Sequence, residues 1–375
     1  MIEFGEFAEL EKGKYVPVAN EHFRCLELEH FEQGTGHILG WVNSSEQKST
    51  KNKFKNGHVL FGKLRPYLQK YWLAQYDGVC SSEVWVLNSK NKKCCNNFLF
   101  RIVQSGRFIQ VANVSSGSKM PRADWGYVSS FPFLIPPIPE QLAITHILDL
   151  IDRAIQKNNQ LIAQKELRKK WLMQQLLTGK KRLMGFNGEW KENKLEYFIK
   201  EYKQKPSEFH NYNILTSAKA GLIMQTDYYG DNRITNRDDA DYNVIPPNHL
   251  TYRSRSDDGL FTFNKNDSGL TGLISGYYPV FTIINGDIDF IWRYINYYRQ
   301  KLTKYAIGTS QLVLSINALK EAKFHLPNLE EQRAIGRVLQ AADKEIHLLK
   351  AKTEQLQEQK KGLMQVLLTG KKRLN

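Results

Sequence analysis

The sequence predicts an α+β chain: two mixed α/β heads separated by an antiparallel two-helix coiled coil, the halves related by a pseudo-twofold axis. Three observations lead there. A block at residues 136–183 recurs at 327–374, an offset of 191 without a gap, and 22 of its 48 positions are identical. Each block carries apolar residues at 4-3 spacing over five heptads, a coiled-coil period. The stretch before each block breaks into short alternating runs punctuated by Gly, Asn and Asp, as strands and turns do.

Residues 1–135 make the first head. GHVLFGKLRPYLQKYWLA (57–74) alternates about a turn, SSEVWVLN (81–88) has strand composition, and FLFRIVQSGRFIQVANV (98–114) is more helical. The head ends in a Gly-Ser loop, SSGSKMPRADWG (115–126). Residues 136–184 follow as one long helix. Pro139 and Glu140 suit its first turn, and Gly179, trailed by Lys180, Lys181 and Arg182, suits its C-terminal cap. Ile144, Leu148, Ile151, Ile155, Asn158, Ile162, Lys165, Lys169, Leu172 and Leu176 form its seam.

Residues 185–326 make the second head. NYNILTSAK, NHLTYRSR, GLFTFNKN and YYPVFTII read as strands, 287–306 as an amphipathic helix, and GTSQLVLSINAL (308–319) as the closing loop. Residues 327–375 repeat the helix, with Asn328 as cap, Glu331 completing a capping box, and Gly370 at the far end. A seam this long needs cover, and the other copy is the nearest partner. Chain direction makes such a pair antiparallel and returns the C-terminus toward the first head. About 38 helical residues then give a strut of roughly 55–60 Å, a dumbbell with its heads held apart.

The 375 residues carry 53 Lys+Arg against 38 Asp+Glu, a net charge of +15. The two helical blocks hold +5 and +4 of that surplus, and a basic chain of ordinary globular composition suits a polyanionic partner, nucleic acid first. No apolar run reaches the roughly 18 residues of a membrane span, and the start, MIEFGEFAEL, is acidic rather than signal-like, so a cytoplasmic protein without a membrane partner is expected. Cys25, Cys80, Cys94 and Cys95 form no C-x-x-C pair and read as reduced structural thiols. LLTGKK is no P-loop, because position 174 is Gln rather than Gly. Pro246-Pro247 is not followed by an aromatic residue, and the nine histidines make no H-x-x-x-H or triad-like grouping. No catalytic, cofactor or metal site is therefore expected on this chain. B-DNA repeats about every 34 Å, so two unlike heads on a rigid strut suit two separated, unlike segments of a duplex.

The chain resembles the specificity subunit of type I restriction–modification systems over essentially its whole length. The resemblance rests on IPPIPEQLAI and HLPNLEEQRAI before the helices, and on LMQQLLTGKKRL and LMQVLLTGKKRL at their ends. CLELEHFEQGTGHI, GHVLFGKLRPYLQK, GSKMPRADW and GFNGEWKENKL add to it. The first head lacks the F-x-G-x-W start found at Phe186 to Trp190, so its edge is expected from the returning C-terminal segment. The resemblance implies a non-catalytic subunit whose two target-recognition domains each read half of an asymmetric, bipartite site in double-stranded DNA. It implies that the helices dock two methylation subunits and, through them, restriction subunits. S-adenosylmethionine, ATP and Mg would belong to those partners, none being bound by this chain, and the chemistry is N6-adenine methylation with restriction.

Candidate DNA contacts follow from charge and position. In the first head they are Lys63, Arg65, Tyr67 and Lys70 in the basic hairpin, and Ser118, Lys119 and Arg122 in the Gly-Ser loop. In the second they are Arg253, Ser254 and Arg255, with Asp257 and Asp258 beside them, and Lys265. Thr309, Ser310 and Gln311 occupy the place of Ser118 to Met120, and Gln311 suits adenine. Arg293, Tyr294, Tyr297 and Tyr298 are expected to pack as a helix face. The competing readings are an enzyme with a cryptic nuclease or methyltransferase head, and a coiled-coil protein scaffold.

Overall fold

The computed structural model describes residues 1–90, 92–114, 120–207, 212–229 and 242–374. The chain forms two compact units, Met1–Gln160 with Lys350–Asn375, and Leu161–Leu349. Each unit holds one head and a segment of each long helix.

The heads share a plan that their sequences hide. In the first, one antiparallel sheet orders Ala8–Leu10, Val84–Ser89, Val59–Gly62 and Tyr71–Leu73. A second sheet orders Lys14–Tyr15, Lys51–Phe54, Gly78–Cys80, Arg24–Leu26 and Val42–Asn43, with one parallel pair, Arg24–Leu26 beside Gly78–Cys80. The second head repeats the first sheet and four of the five strands of the second. Ile199–Glu201, Val280–Ile283, Leu250–Tyr252 and Phe263–Lys265 form one sheet; Gly221–Met224, Asn213–Ala218, Gly272–Ser275 and Tyr242–Ile245 form the other, again with one parallel pair. A glycine opens the inner strand of that pair in each head. A Cβ on Gly78 would lie 2.7 Å from the Arg24 carbonyl oxygen, and one on Gly272 would lie 2.7 Å from Leu215 Cδ1. Backbone this close to Gly78 tolerates no side chain there, whereas Leu215 would have to turn aside for one at Gly272.

The helical run at 98–114 is two helices, Asn96–Gln104 and Gly106–Ala112, because the Ser105 side chain stops the first and caps the second by accepting from Phe108 N at 3.2 Å. The run at 287–306 forms an α-helix only over Ile288–Tyr297 and then tightens into 3-10 turns. Its inner face is buried, Arg293 and Tyr294 included, while Tyr297 is exposed.

The long helices run Ile138–Leu176 and Leu329–Leu367. Both end in the same C-cap. Gly179 and Gly370 take φ of +69°, and the Lys181 and Lys372 amides reach back 3.1 Å to the Gln175 and Val366 carbonyls, the Schellman pattern. Asn328 caps the second helix by accepting from Glu331 N at 2.9 Å. The reciprocal half of the expected box is replaced, because the Glu331 carboxylate takes both hydrogen bonds of Arg182 instead.

In each unit the helix segments run antiparallel, and the ion pairs that show it repeat at the offset of 191. In the first unit Lys360 pairs with Asp152, and Arg373 pairs with Glu140. In the second Lys169 pairs with Asp343, and Arg182 with Glu331. Each head joins the same clusters: Arg101 binds Asp149 and Asp152, and Arg293 binds Asp343. The glutamine of each Glu-Gln dipeptide fastens helix to head. Gln141 accepts from Cys95 N at 3.0 Å and Gln332 from Asp287 N at 3.0 Å, and these are the N-cap residues of Asn96–Gln104 and Ile288–Tyr297.

Two cores follow. In the second unit Leu176 and Leu177 pack with Phe290, Tyr294, Ile335 and Leu339, all from one continuous stretch of chain. In the first, Phe4, Phe98, Phe108, Ile144 and Leu148 are joined by Leu367, with Leu363, Met364 and Leu374 against them. The C-terminal segment thus contributes a helix end and tail rather than a sheet edge. The edge comes from the chain's own start, where Ile2–Glu3 pairs with Pro132–Phe133 as Lys191–Lys194 pairs with Lys323–Leu326. All four cysteines are unpaired, and burial pushes the Cys25 thiol up to about 12. No helix among the described residues is long and apolar enough to cross a membrane.

Candidate nucleic-acid interface

In the first head the connection between Val59–Gly62 and Tyr71–Leu73 is pinned along the strand that leaves the Gly-Ser loop. Ala123 N donates to the Lys63 carbonyl at 2.9 Å, Arg65 N to the Pro121 carbonyl at 2.8 Å, and Leu64 bridges Arg122. Beyond this ribbon lies a short turn, Pro66–Leu68, bracketed by Arg65 and Gln69 at φ of +52° and +50°. Left-handed backbone costs a non-glycine residue about 1 kcal/mol or more. Two such residues around one turn hold Arg65 and Tyr67 outward, and both are exposed. Lys63 is half-buried on the same ribbon.

Two of the expected contacts have other duties. Lys70 Nζ donates to the Leu28 carbonyl at 2.6 Å, so it braces the hairpin from behind rather than facing outward. Arg122 grips Glu83 through Nε at 2.9 Å and Nη2 at 3.4 Å; a carboxylate already answers its charge, though its side chain stays 46% exposed. Ser118 and Lys119 lie outside the described residues.

The second head repeats the wiring with different side chains. Leu314 N donates to the Ser254 carbonyl at 2.9 Å, and Arg255 pairs with Val313. These are the positions of Ala123, Lys63, Leu64 and Arg122 displaced by 191. Ile307 and Val313 exchange both backbone hydrogen bonds, at 2.9 and 2.8 Å, which closes a hairpin whose tip is Thr309, Ser310 and Gln311, all exposed. Gly308 makes the tip possible: at φ of +131° a Cβ there would lie 2.1 Å from the Gln311 carbonyl oxygen.

Between this hairpin and the sheet lies an open cleft of about 940 Å³, lined by Arg253, Arg255, Lys219, Tyr228, Tyr277 and Gln311 among others. The Arg253 guanidinium stands 5.9 Å from the centre of the Tyr278 ring, and Ser254 Oγ donates to the Tyr277 carbonyl at 2.9 Å. Asp258 accepts from Lys219 Nζ at 2.7 Å, Ser256 Oγ at 2.8 Å and Leu260 N at 3.1 Å. The lysine first, then the serine and the amide, hold its carboxyl well below the usual carboxylate range. Asp257 accepts from Gln311 Nε2 at 2.8 Å.

Lys265 does not join this cleft. Its side chain is 5% exposed, it is ion-paired to Asp267 and Asp289, and its ammonium lies 5.5 Å from the centre of the Trp292 ring. Burial alone would lower its pKa, but the two carboxylates outweigh that and raise it. It is a core lysine of the sheet, placed in a strand run that looked surface-facing because its partners are distant or flanking in sequence. Lys219, Tyr228 and Tyr277 are the contributors that sequence reasoning missed. Lys219 sits at the turn between two strand-like runs, the one cue available. Nothing in the sequence around Tyr228 or Tyr277 points to the cleft.

The arrangement can do what cations, aromatic rings and amides do together: hold phosphates, stack, and match hydrogen-bonding edges. No group of three or more His, Cys, Asp or Glu among the described residues could hold a metal ion.

Comparison with known proteins points the same way. The family model for the type I restriction modification DNA specificity domain matches residues 2–167 and 187–358. The specificity subunit of the type I restriction enzyme EcoDI of Escherichia coli is 31% identical over 143 residues, 37% of this chain and 32% of that protein. The MjaVIII specificity subunit of Methanocaldococcus jannaschii is 24% identical over 416 aligned positions, 100% of this chain and 93% of that protein. Among solved structures, the HsdS subunit from Thermoanaerobacter tengcongensis aligns with TM-score 0.52 at 20% identity, over 98% of this chain and 96% of that one. The type I S subunit from M. genitalium aligns with TM-score 0.60 at 13% identity, over 98% and 95%.

Proposed function

The chain belongs to the type I restriction–modification DNA specificity family, and from that membership we propose that each head reads one half of an asymmetric, two-part site in duplex DNA. One observation carries the reading. The same ribbon, a strand-to-strand connection laid along the strand that leaves the closing loop, occurs in both heads at an offset of 191 and bears different side chains. Lys63, Leu64, Arg65 and Tyr67 stand in one head where Ser254, Arg255, Ser256 and Asp258 stand in the other. A common backbone with unlike side chains suits two readers of unlike sequences.

The repeated helices dock two methylation subunits, and restriction subunits join through them. S-adenosylmethionine, ATP and Mg belong to those partners, and this chain contributes position and sequence. Its cations anchor phosphates, and its outward side chains select bases. The protein acts in the cytoplasm, where its duplex lies.

Methylome sequencing of a host carrying this chain with its cognate methylation subunit tests the proposal. The expected result is N6-methyladenine within one gapped motif, and replacement of residues 186–326 by another head changes only one half of it. A continuous motif, or both halves changing at once, would overturn the reading. Methyl transfer or DNA cleavage by the isolated chain would favour an enzyme instead.

A further inference from the structure

The hydrogen bond between Gln311 and Asp257 is chemically one-sided. An ionised carboxylate only accepts, so only the amino end of the Gln311 amide can face Asp257 Oδ1, 2.8 Å away. Turning the amide over would set its carbonyl oxygen against the carboxylate. The same repulsion favours use of the hydrogen that points away from the amide's own carbonyl. The other hydrogen and Oε1 are left side by side, a donor next to an acceptor.

Backbone on both sides holds this pair. Ser256, just before Asp257, pairs with Leu312, just after Gln311, and Arg255 pairs with Val313. Asp258 is already committed to Lys219, Ser256 and Leu260, so it does not compete for the amide. Asp257 and Gln311 are both exposed and border the cleft that holds Arg253 and Arg255.

Granting the DNA-reading role proposed above, we infer that Gln311 reads an adenine edge in the major groove and that Asp257 orients it to do so. Adenine alone presents a donor, N6, beside an acceptor, N7; guanine presents two acceptors there, and cytosine and thymine one hydrogen-bonding group each. A free glutamine amide can turn to suit other groups, whereas this one has lost that choice. The device belongs to the second head only. At the positions displaced by 191 the first head has Pro66 and Met120, which cannot form such a pair.

The test uses the complex of the full chain with its methylation subunit. The half-motif specified by residues 186–326 should contain an invariant A·T pair besides the methylated one. Gln311→Ala should loosen that pair alone, cutting its preference by roughly ten-fold or more. Asp257→Asn, which lets the amide turn, should loosen the same pair while methylation continues. An unaltered motif in Gln311→Ala, loosening at a G·C pair, or loss of all methylation from this single exposed change would overturn the inference. Arg255→Ala separates it from its premise. If duplex affinity falls in Arg255→Ala while the Gln311→Ala motif is unaltered, the adenine inference alone fails. If both variants leave affinity and motif untouched, this surface is not the reader and the premise fails too.

Discussion

Arg65, Lys70 and Arg255 look alike in a sequence and differ in where their charge goes. Lys70 is bonded to the Leu28 carbonyl behind its hairpin, while Arg65 and Arg255 are exposed on the two matching ribbons. Each cation that neutralises a phosphate releases counterion, so losing one lowers the salt slope of binding by about 1. In anisotropy titrations of the complex across salt, Arg65→Ala and Arg255→Ala should each weaken binding and flatten the slope by about that amount. Lys70→Ala should leave the slope unchanged and lower the melting temperature. Equal flattening in all three would remove the distinction. Lys265 makes the same point from the interior: charge in a sequence marks a candidate, and only folding reveals whether a carboxylate has claimed it first.

Among elements, the joints between helix and head carry the heaviest electrostatic demands. Glu331 is 1% exposed and depends on Arg182. Removing one partner of a buried pair strands the other's charge, at a cost of about 3 kcal/mol. Arg182→Met should therefore destabilise the second unit by about that much in denaturant unfolding, and the double variant with Glu331→Met should recover part of it. No recovery would mean that Arg182 acts through packing instead. Asp343 gives the joint a pH dependence. Burial pushes its carboxyl up, but hydrogen bonds from Lys169 and Arg293 outweigh burial and hold it below its ordinary value of 3.8. A carboxyl depressed by folding contributes stability that is complete above its unfolded-state value and is lost as pH falls through the folded one. Melting curves taken from about pH 6 down to about pH 3 should fall more steeply for the native chain than for Asp343→Asn. Parallel curves would show that the pair adds nothing.

Much of this element plan was legible in the sequence. Gly179, Gly370 and Asn328 announced the helix ends, and the 4-3 spacing announced the seam, because caps and heptads are local signals. The shared plan of the heads was not legible. Ala123 and Lys63 meet as Leu314 and Ser254 do through backbone groups, which every residue possesses, so the equivalence leaves no trace in side chains. The candidate site was half legible for a related reason. Exposed cations such as Arg65 and Arg255 show in a sequence, but Glu83 beneath Arg122, or Lys219 across from Asp258, are brought there by strands paired from far along the chain.

At the scale of the whole molecule, the two units differ in how the chain supplies them. The second is continuous in sequence, while the first borrows residues 350–375 to complete its core. A chain ended at 349 should keep the second head protected in hydrogen exchange and lose protection in the first, where Leu363, Met364, Leu367 and Leu374 leave Phe98, Ile144 and Leu148 uncovered. Equal protection in both heads would show that the borrowed segment is dispensable.

That borrowed segment also bears on how the protein is made. Arg373 reaches back to Glu140, and Leu374 N to the same carboxylate at 3.2 Å, so the head translated first is the one finished last. Domains usually fold in the order of synthesis, yet here the earlier head keeps part of its apolar surface open until residues 363–374 have been made. The later head closes sooner, around a stretch already complete. A chain broken off before residue 350 therefore has at most one finished head, because the first still lacks Leu363, Met364, Leu367 and Leu374.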